Sequence, residues 1–402
     1  MGDVLFLAHR APFPPDRGDK IRSYHLLRYL AARARVHLIA FADDERDLAQ
    51  ADALAGIAAS VTLIRRRKSR ARAVAEALVL RRPVSLTAFH DPSFTKAVAG
   101  VLARAPVESI FAFSGQMAQY VPARAQQRVV MDFVDVDSAK FGAYARTAPG
   151  PMRWMLEREQ RCLFAHERAV AARVHASLFV SEAEAELFRA QAAADRIAVV
   201  ENGIDTRAFS PAADFSPLSP DGRGPLIVFT GQMDYPPNAE GAVWFAEQVW
   251  PAVLAAHPAA RFAIVGRAPT RDVRALTGQA GVTVTGEVAD VRPWLAAARL
   301  AVAPLRTARG VQNKVLEGMA MARAVVATDA AAEGIDHAGT IAVAGDADAM
   351  AARVNALLAN PAAADRLGSA ARERVEARYG WEARLAPLDA LLGLGHAERL
   401  VA

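Results

Sequence analysis

Short apolar runs alternate with longer amphipathic segments along the whole chain. In the first half the runs occupy residues 4–8, 36–41, 61–64, 109–113, 128–132 and 176–181. In the second half they occupy residues 226–230, 261–265, 282–285, 300–303 and 324–327. Runs of this kind are typical of strands that are buried on both faces of a parallel sheet. Because helical segments separate them, the pattern predicts a doubly wound α/β fold.

A polar loop interrupts this alternation near the middle of the chain. Residues 210–225 are rich in Pro, Ser, Asp and Gly, and a new series of apolar runs begins directly after them. A chain of 402 residues is long enough for two domains, each with its own core. We therefore predict a first domain at residues 1–205 and a second at residues 206–379.

The first helix is expected soon after the first strand. Asp19 is predicted to cap it, and its apolar face is predicted from Ile21, Tyr24, Leu27, Leu30 and Ala31. In an open α/β sheet, ligands bind outside the carboxyl ends of the strands. The segment Gly18, Asp19 and Lys20 is therefore a candidate binding loop, although its spacing is not that of a Walker loop.

Composition narrows the class of protein. Hydrophobic residues make up 53% and charged residues 23% of the chain, as in an ordered globular protein. The single Cys162 excludes an internal disulfide and a cysteine-based metal site, and we expect a buried structural thiol. We see no signal peptide, and no apolar run approaches the roughly 20 residues that cross a bilayer. We therefore expect a cytoplasmic protein, soluble or peripheral at the inner membrane.

The net charge of +5 indicates an anionic partner, which could be a nucleic acid, a nucleotide or an anionic lipid. Basic residues are densest at 65–72, followed by Arg81 and Arg82. A solvated face is one interpretation, and attraction to an anionic membrane, worth on the order of 1 kcal/mol per residue, is another. No aromatic interleaving, zinc finger or recognition helix accompanies the cluster, so we expect no nucleic-acid partner.

The segment 303–322 is the most informative in the chain. An apolar run leads into a polar loop with Gly310, and a helix is expected to begin near Val311. Glycine lets a ligand approach the backbone, and the first amides of a helix favour an anion. Lys314 and Glu317 lie on one helical face, so one can contact a phosphate while the other accepts hydrogen bonds from sugar hydroxyls.

An exposed salt bridge between Lys314 and Glu317 is the alternative interpretation. The surrounding strand, glycine turn and helix favour a nucleotide-sugar site, as do Arg306 and Arg309 in the same loop.

This segment resembles the donor-binding segment of glycosyltransferase family 4, whose fold is GT-B: two Rossmann-like doubly wound α/β domains that face a cleft. Glu317 falls on the second glutamate of the family's Glu-x7-Glu motif, which binds the donor ribose. Arg309 stands where the first glutamate is common, although the spacing of Gly310, Lys314 and Glu317 also occurs in the family.

Further segments extend the resemblance over nearly the whole chain. Residues 201–209 resemble the segment that enters the second domain, although an Asn-Gly turn alone would also fit. Residues 378–382 resemble the start of the final helix, which implies that residues 380–402 pack back on the first domain. In segment 230–238, the family's usual Arg and Lys after Gly231 are absent. Arg267 or Lys314 would then stabilise the departing nucleoside diphosphate.

An acidic cluster occupies residues 132–137 and could be a metal site. Enzymes of this fold generally need no divalent ion, so we expect neither metal nor cofactor and place Asp135 on the acceptor side of the cleft. His9, which follows the first strand, is the histidine that we expect near the cleft.

The segments 14–24, 132–138, 180–184 and 308–314 together resemble sugar transferases associated with the exosortase/PEP-CTERM system of Gram-negative bacteria. The resemblance implies a hexosyltransferase of exopolysaccharide synthesis, retaining in stereochemistry, that moves a sugar from a UDP- or GDP-sugar to a lipid-linked or polysaccharide acceptor. A nucleotide-sugar 2-epimerase is one alternative, although its set of acidic and histidine residues is not evident. A non-catalytic sugar-binding scaffold is another, because of Arg309.

The expected catalytic residues are Glu317, Lys314 and Asp135. The expected donor-binding residues are Gly18, Asp19, Lys20, Gly231, Gly266, Arg267, Arg309, Gly310, Val311, Asn313, Lys314 and Glu317.

Overall fold

The computed structural model describes residues 2–15, 18–192, 194–216, 218, 224–308 and 311–394. The chain divides into two compact units. The first comprises Met1–Asn202 and Arg384–Ala402, and the second comprises Gly203–Ala383. The break after Asn202 falls within segment 201–209.

The first unit is built on a parallel sheet in the order β3-β2-β1-β4-β5-β6-β7. Its strands are β1 (Asp3–Ala8), β2 (Val36–Ala42), β3 (Ser60–Arg65), β4 (Val107–Phe113), β5 (Arg128–Val134), β6 (Ala176–Phe179) and β7 (Ile197–Val199). Every position of β1 and β2 is buried, which explains their continuous apolar runs. The apolar pattern predicts all of these strands except β7, a three-residue strand at the edge.

Helices cover this sheet. They are α1 (Gly18–Ala31), α2 (Glu45–Leu48), α3 (Ala51–Ala55), α4 (Arg70–Val79), α5 (Val84–Ala88), α6 (Pro92–Arg104), α7 (Asp137–Thr147), α8 (Gly150–Arg173) and α9 (Glu182–Ala192), with a 3₁₀ turn at Gly115–Tyr120. In α8, Cys162 is only partly buried, contrary to the expectation of a buried thiol.

The predicted inner face of α1 is confirmed at Leu27 and Leu30, which are buried, and wrong at Ile21. Ile21 is 38% exposed, whereas Lys20 and Arg22 are buried. The Arg22 guanidinium forms an ion pair of 2.9 Å with the buried Asp132 of β5, and the Lys20 ammonium lies 2.7 Å from Asp47. An apolar pattern could not indicate this face, because its burial depends on acidic partners that are distant in sequence.

Asp19 does not cap α1 either, because the helix begins at Gly18 and Asp19 lies inside its first turn. Its carboxylate instead forms an ion pair with Arg10.

The second unit has its own parallel sheet, in the order β10-β9-β8-β11-β12-β13. Its strands are β8 (Leu226–Thr230), β9 (Arg261–Val265), β10 (Val282–Gly286), β11 (Leu300–Ala303), β12 (Ala324–Thr328) and β13 (Ala342–Ala344). The pattern predicts all but the short β13. The strand order reverses between β8 and β11, which is where open α/β sheets form a binding crevice at the carboxyl ends of the strands.

The helices of the second unit are α10 (Pro236–Trp244), α11 (Trp250–Ala256), α12 (Arg271–Ala275), α13 (Arg292–Ala297), α14 (Asn313–Ala320), α15 (Asp329–Ala332), α16 (Ala347–Ala359) and α17 (Pro361–Tyr379). A π-helical segment at Phe245–Val249 joins α10 to α11, and a 3₁₀ turn occupies Leu276–Gly278. Trp250 anchors the core, since its ring is buried and its indole N–H donates to the Ala280 carbonyl at 2.8 Å.

The chain then returns to the first unit through α18 (Trp381–Leu385) and α19 (Pro387–Leu392). The Asp389 carboxylate accepts a hydrogen bond from the Tyr29 hydroxyl at 2.9 Å and pairs with Arg33 at 2.9 Å. The Leu392 carbonyl accepts from Ser109 at 2.8 Å. The rest of the predicted final helix, residues 395–402, lies outside the described residues.

Within the described part of the chain, no helix combines the length and the apolar character that crossing a membrane requires.

Candidate functional site

A pocket of about 510 Å³ lies at the carboxyl edge of the second unit's sheet. The segments that follow β8, β9 and β10 form three of its walls, and the start of α14 forms the fourth. Its lining residues are Thr230, Gly231, Gln232, Asn238, Val265, Gly266, Arg267, Glu287, Val288, Val291, Val311, Gln312, Asn313, Lys314 and Glu317. The pocket therefore brings together every predicted donor-binding residue of the second unit that the structure describes.

Two glycines shape the pocket's backbone. Gly266 has a φ of +151°, and a Cβ at this position would lie 1.7 Å from the Gly231 carbonyl oxygen. A Cβ at Gly231 would lie 2.8 Å from the side-chain nitrogen of Asn238. The contact at Gly266 is with backbone, so only glycine there allows the loops after β8 and β9 to pack this tightly, whereas glycine at 231 leaves room for the Asn238 side chain.

Helix α14 positions the two charged side chains of the site. Its inner face buries Val315, Leu316 and Met319, which leaves Lys314 and Glu317 on the face toward the pocket. The helix lies close to the sheet because Gly318 has no side chain: a Cβ there would be 3.0 Å from a methyl carbon of Val325. The packing of α14 on the sheet thus directs the Lys314 and Glu317 side chains toward the pocket.

Lys314 and Glu317 do not form an ion pair with each other, so the salt-bridge alternative is wrong. The Lys314 ammonium lies 3.3 Å from the Gln312 side-chain oxygen, and the Glu317 carboxylate has no hydrogen-bond partner among the described residues. Burial raises the pKa of Glu317 to about 7, against the opposing effect of Lys314. Burial also lowers the pKa of Lys314, which Glu317 partly offsets. The pair is poised to contact a polar ligand.

Other polar groups complete the pocket. The Arg267 guanidinium donates to the Gln232 side-chain oxygen at 2.8 Å. The side-chain nitrogen of Asn238 donates to the Gln232 carbonyl at 2.9 Å, while its buried side-chain oxygen has no partner in the described structure. Gln232 and Asn238 lie in segment 230–238, yet sequence reasoning did not assign them to the site.

Sequence reasoning also missed Glu287, Val288 and Val291. They belong to no motif that we recognised. Their position directly after β10 could have indicated them, because the loops at the carboxyl ends of neighbouring strands converge.

The pocket does not include Arg306, although the sequence favours a role for it beside Lys314. Arg306 instead lines a separate cavity of about 1100 Å³, together with carboxylates that include Asp234, Glu240 and Asp272. Two other predicted donor-binding residues, Arg309 and Gly310, lie outside the described residues.

The remaining predicted site residues belong to the first unit. Asp19 lies 2.6 Å from the Arg10 guanidinium and 3.2 Å from His9. Burial opposes the ionisation of Asp19, but the hydrogen bonds from His9 and Arg10 outweigh it and hold the pKa of this carboxyl well below its usual range. Lys20 is buried against Asp47, and Gly18 opens α1. Asp19 is therefore paired with basic side chains of the protein, and Lys20 is paired with an acidic one.

The acidic cluster of the first unit is divided among separate partners. Asp132 pairs with Arg22, whereas Asp135 and Asp137 lie 2.6 Å and 3.3 Å from the Lys140 ammonium. Among the described residues, no three His, Cys, Asp or Glu side chains are grouped as metal ligands would be.

The basic cluster at residues 65–72 is also largely paired. Arg65 contacts Glu45, Arg66 lies 2.7 Å from Asp43, and Lys68 and Arg72 share Glu76. The cluster therefore presents less positive charge to solvent than its sequence suggests.

Residues 224–360 match the model of the family described as glycosyl transferases group 1. The described pocket lies inside this match. None of the curated proteins matches the chain.

Solved structures match nearly the whole chain. Sucrose-phosphate synthase from Thermosynechococcus elongatus is 18% identical, with a TM-score of 0.58 over 97% of this chain and 98% of the other. HepE from Anabaena, in complex with UDP, is 15% identical, with a TM-score of 0.62 over 97% and 99%. A glycosyltransferase from Rickettsia africae is 14% identical, with a TM-score of 0.62 over 98% of each chain. The fold is GT-B, which confirms the predicted fold class.

Proposed function

We propose that this protein is a glycosyltransferase that moves a hexosyl group from a nucleotide-sugar to a lipid-linked or polysaccharide acceptor. The observation that carries the proposal is the pocket of the second unit, where Lys314 and Glu317 lie side by side without pairing. The match of residues 224–360 to glycosyl transferases group 1, and the enzymes that share the fold, support a hexosyltransferase.

Each wall of the pocket suits one part of a nucleotide-sugar. Lys314 and the first amides of α14 would attract the phosphates, and Gly231 and Gly266 would let them approach the backbone. The Glu317 carboxylate would accept hydrogen bonds from the ribose hydroxyls. Val288 and Val291 would pack against the face of the base. A UDP-sugar is the donor class we favour, since HepE has been solved with UDP and with UDP-glucose.

The same residues would assist the chemistry. When the glycosidic bond to the donor breaks, negative charge grows on the departing diphosphate, and fixed cations lower the energy of that state. Among the described residues, Lys314 and Arg267 are the cations that line the pocket. We propose that they replace a divalent ion, so transfer to acceptor should continue in excess EDTA. Loss of activity that magnesium or manganese restores would contradict this assignment.

The finer features of the proposal rest on the sequence motifs. Resemblance to exosortase/PEP-CTERM-associated transferases supports a role in exopolysaccharide synthesis, and resemblance to glycosyltransferase family 4 supports retention of configuration. We place its action in the cytoplasm, peripheral at the inner membrane. The exposed Arg67 and Arg70, which have no ionic partner among the described residues, support contact with an anionic membrane. Co-sedimentation with anionic vesicles at low salt, with release at high salt, would support this contact. If the protein does not co-sediment with these vesicles, membrane association is no longer part of the proposal.

The deciding experiment is donor binding by the Glu317→Ala variant. Hydrogen bonds to a charged group contribute about 1.5–3 kcal/mol, so the affinity for UDP-glucose should fall by about tenfold or more. The melting temperature without donor should change little, because the Glu317 carboxylate has no hydrogen-bond partner among the described residues that the substitution would remove. Isothermal titration calorimetry measures the affinity, and differential scanning fluorimetry measures the melting temperature.

Glu373→Ala is the matched control, because it removes an exposed glutamate of α17 outside the pocket. It should leave the affinity unchanged. Equal affinity of wild type and Glu317→Ala, with both proteins folded, would exclude the proposed ribose contact.

A further inference from the structure

A cavity of about 980 Å³ lies in the first unit, between α7, α8 and α9. The small residues Ala139, Gly142 and Ala143 line it on the side of α7. Phe164 of α8 and Leu187 of α9 form apolar walls. The cavity is thus large enough for part of an organic ligand, and it offers that ligand an apolar surface.

Two cationic side chains that line the cavity have no ionic partner among the described residues. Arg146 and Arg161 line the cavity, are exposed, and form no ion pair with any carboxylate of the described residues. The two acidic side chains that line it already have partners. Glu157 lies 2.9 Å from Arg153, and the Glu184 carboxylate accepts a hydrogen bond from the backbone N–H of Val136 at 2.6 Å. Two guanidinium groups therefore remain for an anion, and their planar fork fits a phosphate.

Large apolar side chains are exposed near the turn between α7 and α8. Tyr144, Met152 and Trp154 are 60%, 56% and 54% exposed. Tyrosine and tryptophan are enriched where proteins contact the boundary between water and lipid, and arginine can extend along apolar surface to reach the headgroups.

The end of α4, next to α8, also exposes apolar side chains. Leu78, Val79 and Leu80 are consecutive and exposed. Arg158 fixes this end of α4 next to α8, since its guanidinium donates to the Ala77 carbonyl at 2.7 Å and the Arg82 carbonyl at 3.2 Å. Trp154 lies one helical turn from Arg158. A run of exposed apolar residues is costly in water and indicates a contact surface.

We propose that the cavity binds a lipid phosphate, with its phosphate at Arg146 and Arg161 and its apolar chain along Phe164 and Leu187. Charge complementarity selects a phosphate, and the apolar walls of the cavity select one that carries a hydrocarbon chain. The inference rests on the proposed function, because it identifies the acceptor class as a lipid phosphate and the first unit as its binding site.

The test uses farnesyl phosphate, titrated by calorimetry below its micelle-forming concentration into the full-length protein. Farnesol and inorganic phosphate, titrated in parallel, separate the contributions of the chain and the anion. The Arg146→Gln and Arg161→Gln double variant should bind farnesyl phosphate on the order of tenfold more weakly than the wild type. Arg168→Gln, which removes an exposed arginine of α8 outside the cavity, should bind like the wild type.

Two results would overturn the inference. One is equal binding of farnesyl phosphate by the double variant and the wild type. The other is binding of inorganic phosphate as tight as that of farnesyl phosphate, which would describe a simple anion site. Titration of UDP-glucose into the same proteins separates this inference from the proposed function. If the wild type binds UDP-glucose but not farnesyl phosphate, only the lipid site is rejected. If the wild type does not bind UDP-glucose, the proposed function is rejected.

Discussion

At the residue scale, the donor pocket depends on backbone that only glycine can form. Gly266 combines a φ of +151° with a carbonyl oxygen 1.7 Å from the place where a Cβ would stand. That oxygen belongs to Gly231, whose own N–H donates to the Val265 carbonyl at 3.0 Å. A side chain at Gly266 would therefore force apart two loops that both line the pocket, whereas one at Gly231 would meet the Asn238 side chain.

We expect Gly266→Ala to destabilise the second unit by several kcal/mol, since the new methyl group overlaps backbone that cannot rotate away and the φ is strained for alanine. Urea unfolding followed by tryptophan fluorescence measures the change. Gly278→Ala is the matched control, because a Cβ there would have no atom within 4 Å. If Gly266→Ala unfolded at the same urea concentration as Gly278→Ala, the loops would be less constrained than the structure indicates.

The sequence could predict part of the site at this scale. Gly231, Gly266, Lys314 and Glu317 follow strands or begin a helix, so their positions indicate the pocket without knowledge of the fold's details. Val288 could not be found in this way, because a valine in a loop has no chemical signature. The sequence also could not show that Lys314 and Glu317 form no ion pair, since the side chains of residues three apart on a helix can either pair or point apart.

At the scale of elements, the buried strands were predictable and the buried charges were not. β8, β9 and β11 begin and end where their apolar runs do, because both faces of each strand are covered. The inner face of α1 includes Arg22, whose partner Asp132 lies on β5, and no local pattern connects the two. The edge strands β7 and β13 were missed because three residues are too few to form a recognisable run.

Helix α8 also contains a buried ionisable side chain whose hydrogen-bond partner lies on another helix. Glu167 is buried and accepts hydrogen bonds from the backbone N–H and the hydroxyl of Ser138, which ties α8 to the first turn of α7. Burial raises the pKa of Glu167 to about 7, although the bonds from Ser138 oppose it.

This raised pKa makes stability depend on pH. Between the unfolded value near 4.3 and the folded value, the folded protein keeps a proton that the unfolded chain has released. Raising the pH from about 5 to 8 should therefore lower the free energy of unfolding, by at most about 3 kcal/mol from this group. We predict that Glu167→Gln reduces this pH dependence, as measured by urea midpoints at pH 5 and pH 8.

Glu186→Gln, which changes an exposed glutamate of α9, serves as the control and should keep the pH dependence of the wild type. An unaltered pH dependence in Glu167→Gln would show that Glu167 is ionised in the folded protein over this range.

At the scale of the whole molecule, the first unit is assembled from both ends of the chain. Leu385, Leu388 and Leu392 are buried, and burying each such side chain contributes about 1.5–3 kcal/mol. Removing residues 384–402 should therefore destabilise the first unit selectively. Limited trypsin digestion with mass spectrometry should then show rapid cleavage within residues 1–202 and a surviving fragment near 203–383. Equal resistance of the two units would contradict the prediction.

The late position of α19 in the sequence has a consequence for biosynthesis. A ribosome makes the chain from its amino end, so Tyr29 and Ser109 leave the exit tunnel long before Asp389 and Leu392, the groups they bind. All of the second unit, Gly203–Ala383, is synthesised during that interval. All seven strands of the first sheet are thus made early, but the sheet lacks its contacts with α19 for as long as the second unit is being synthesised.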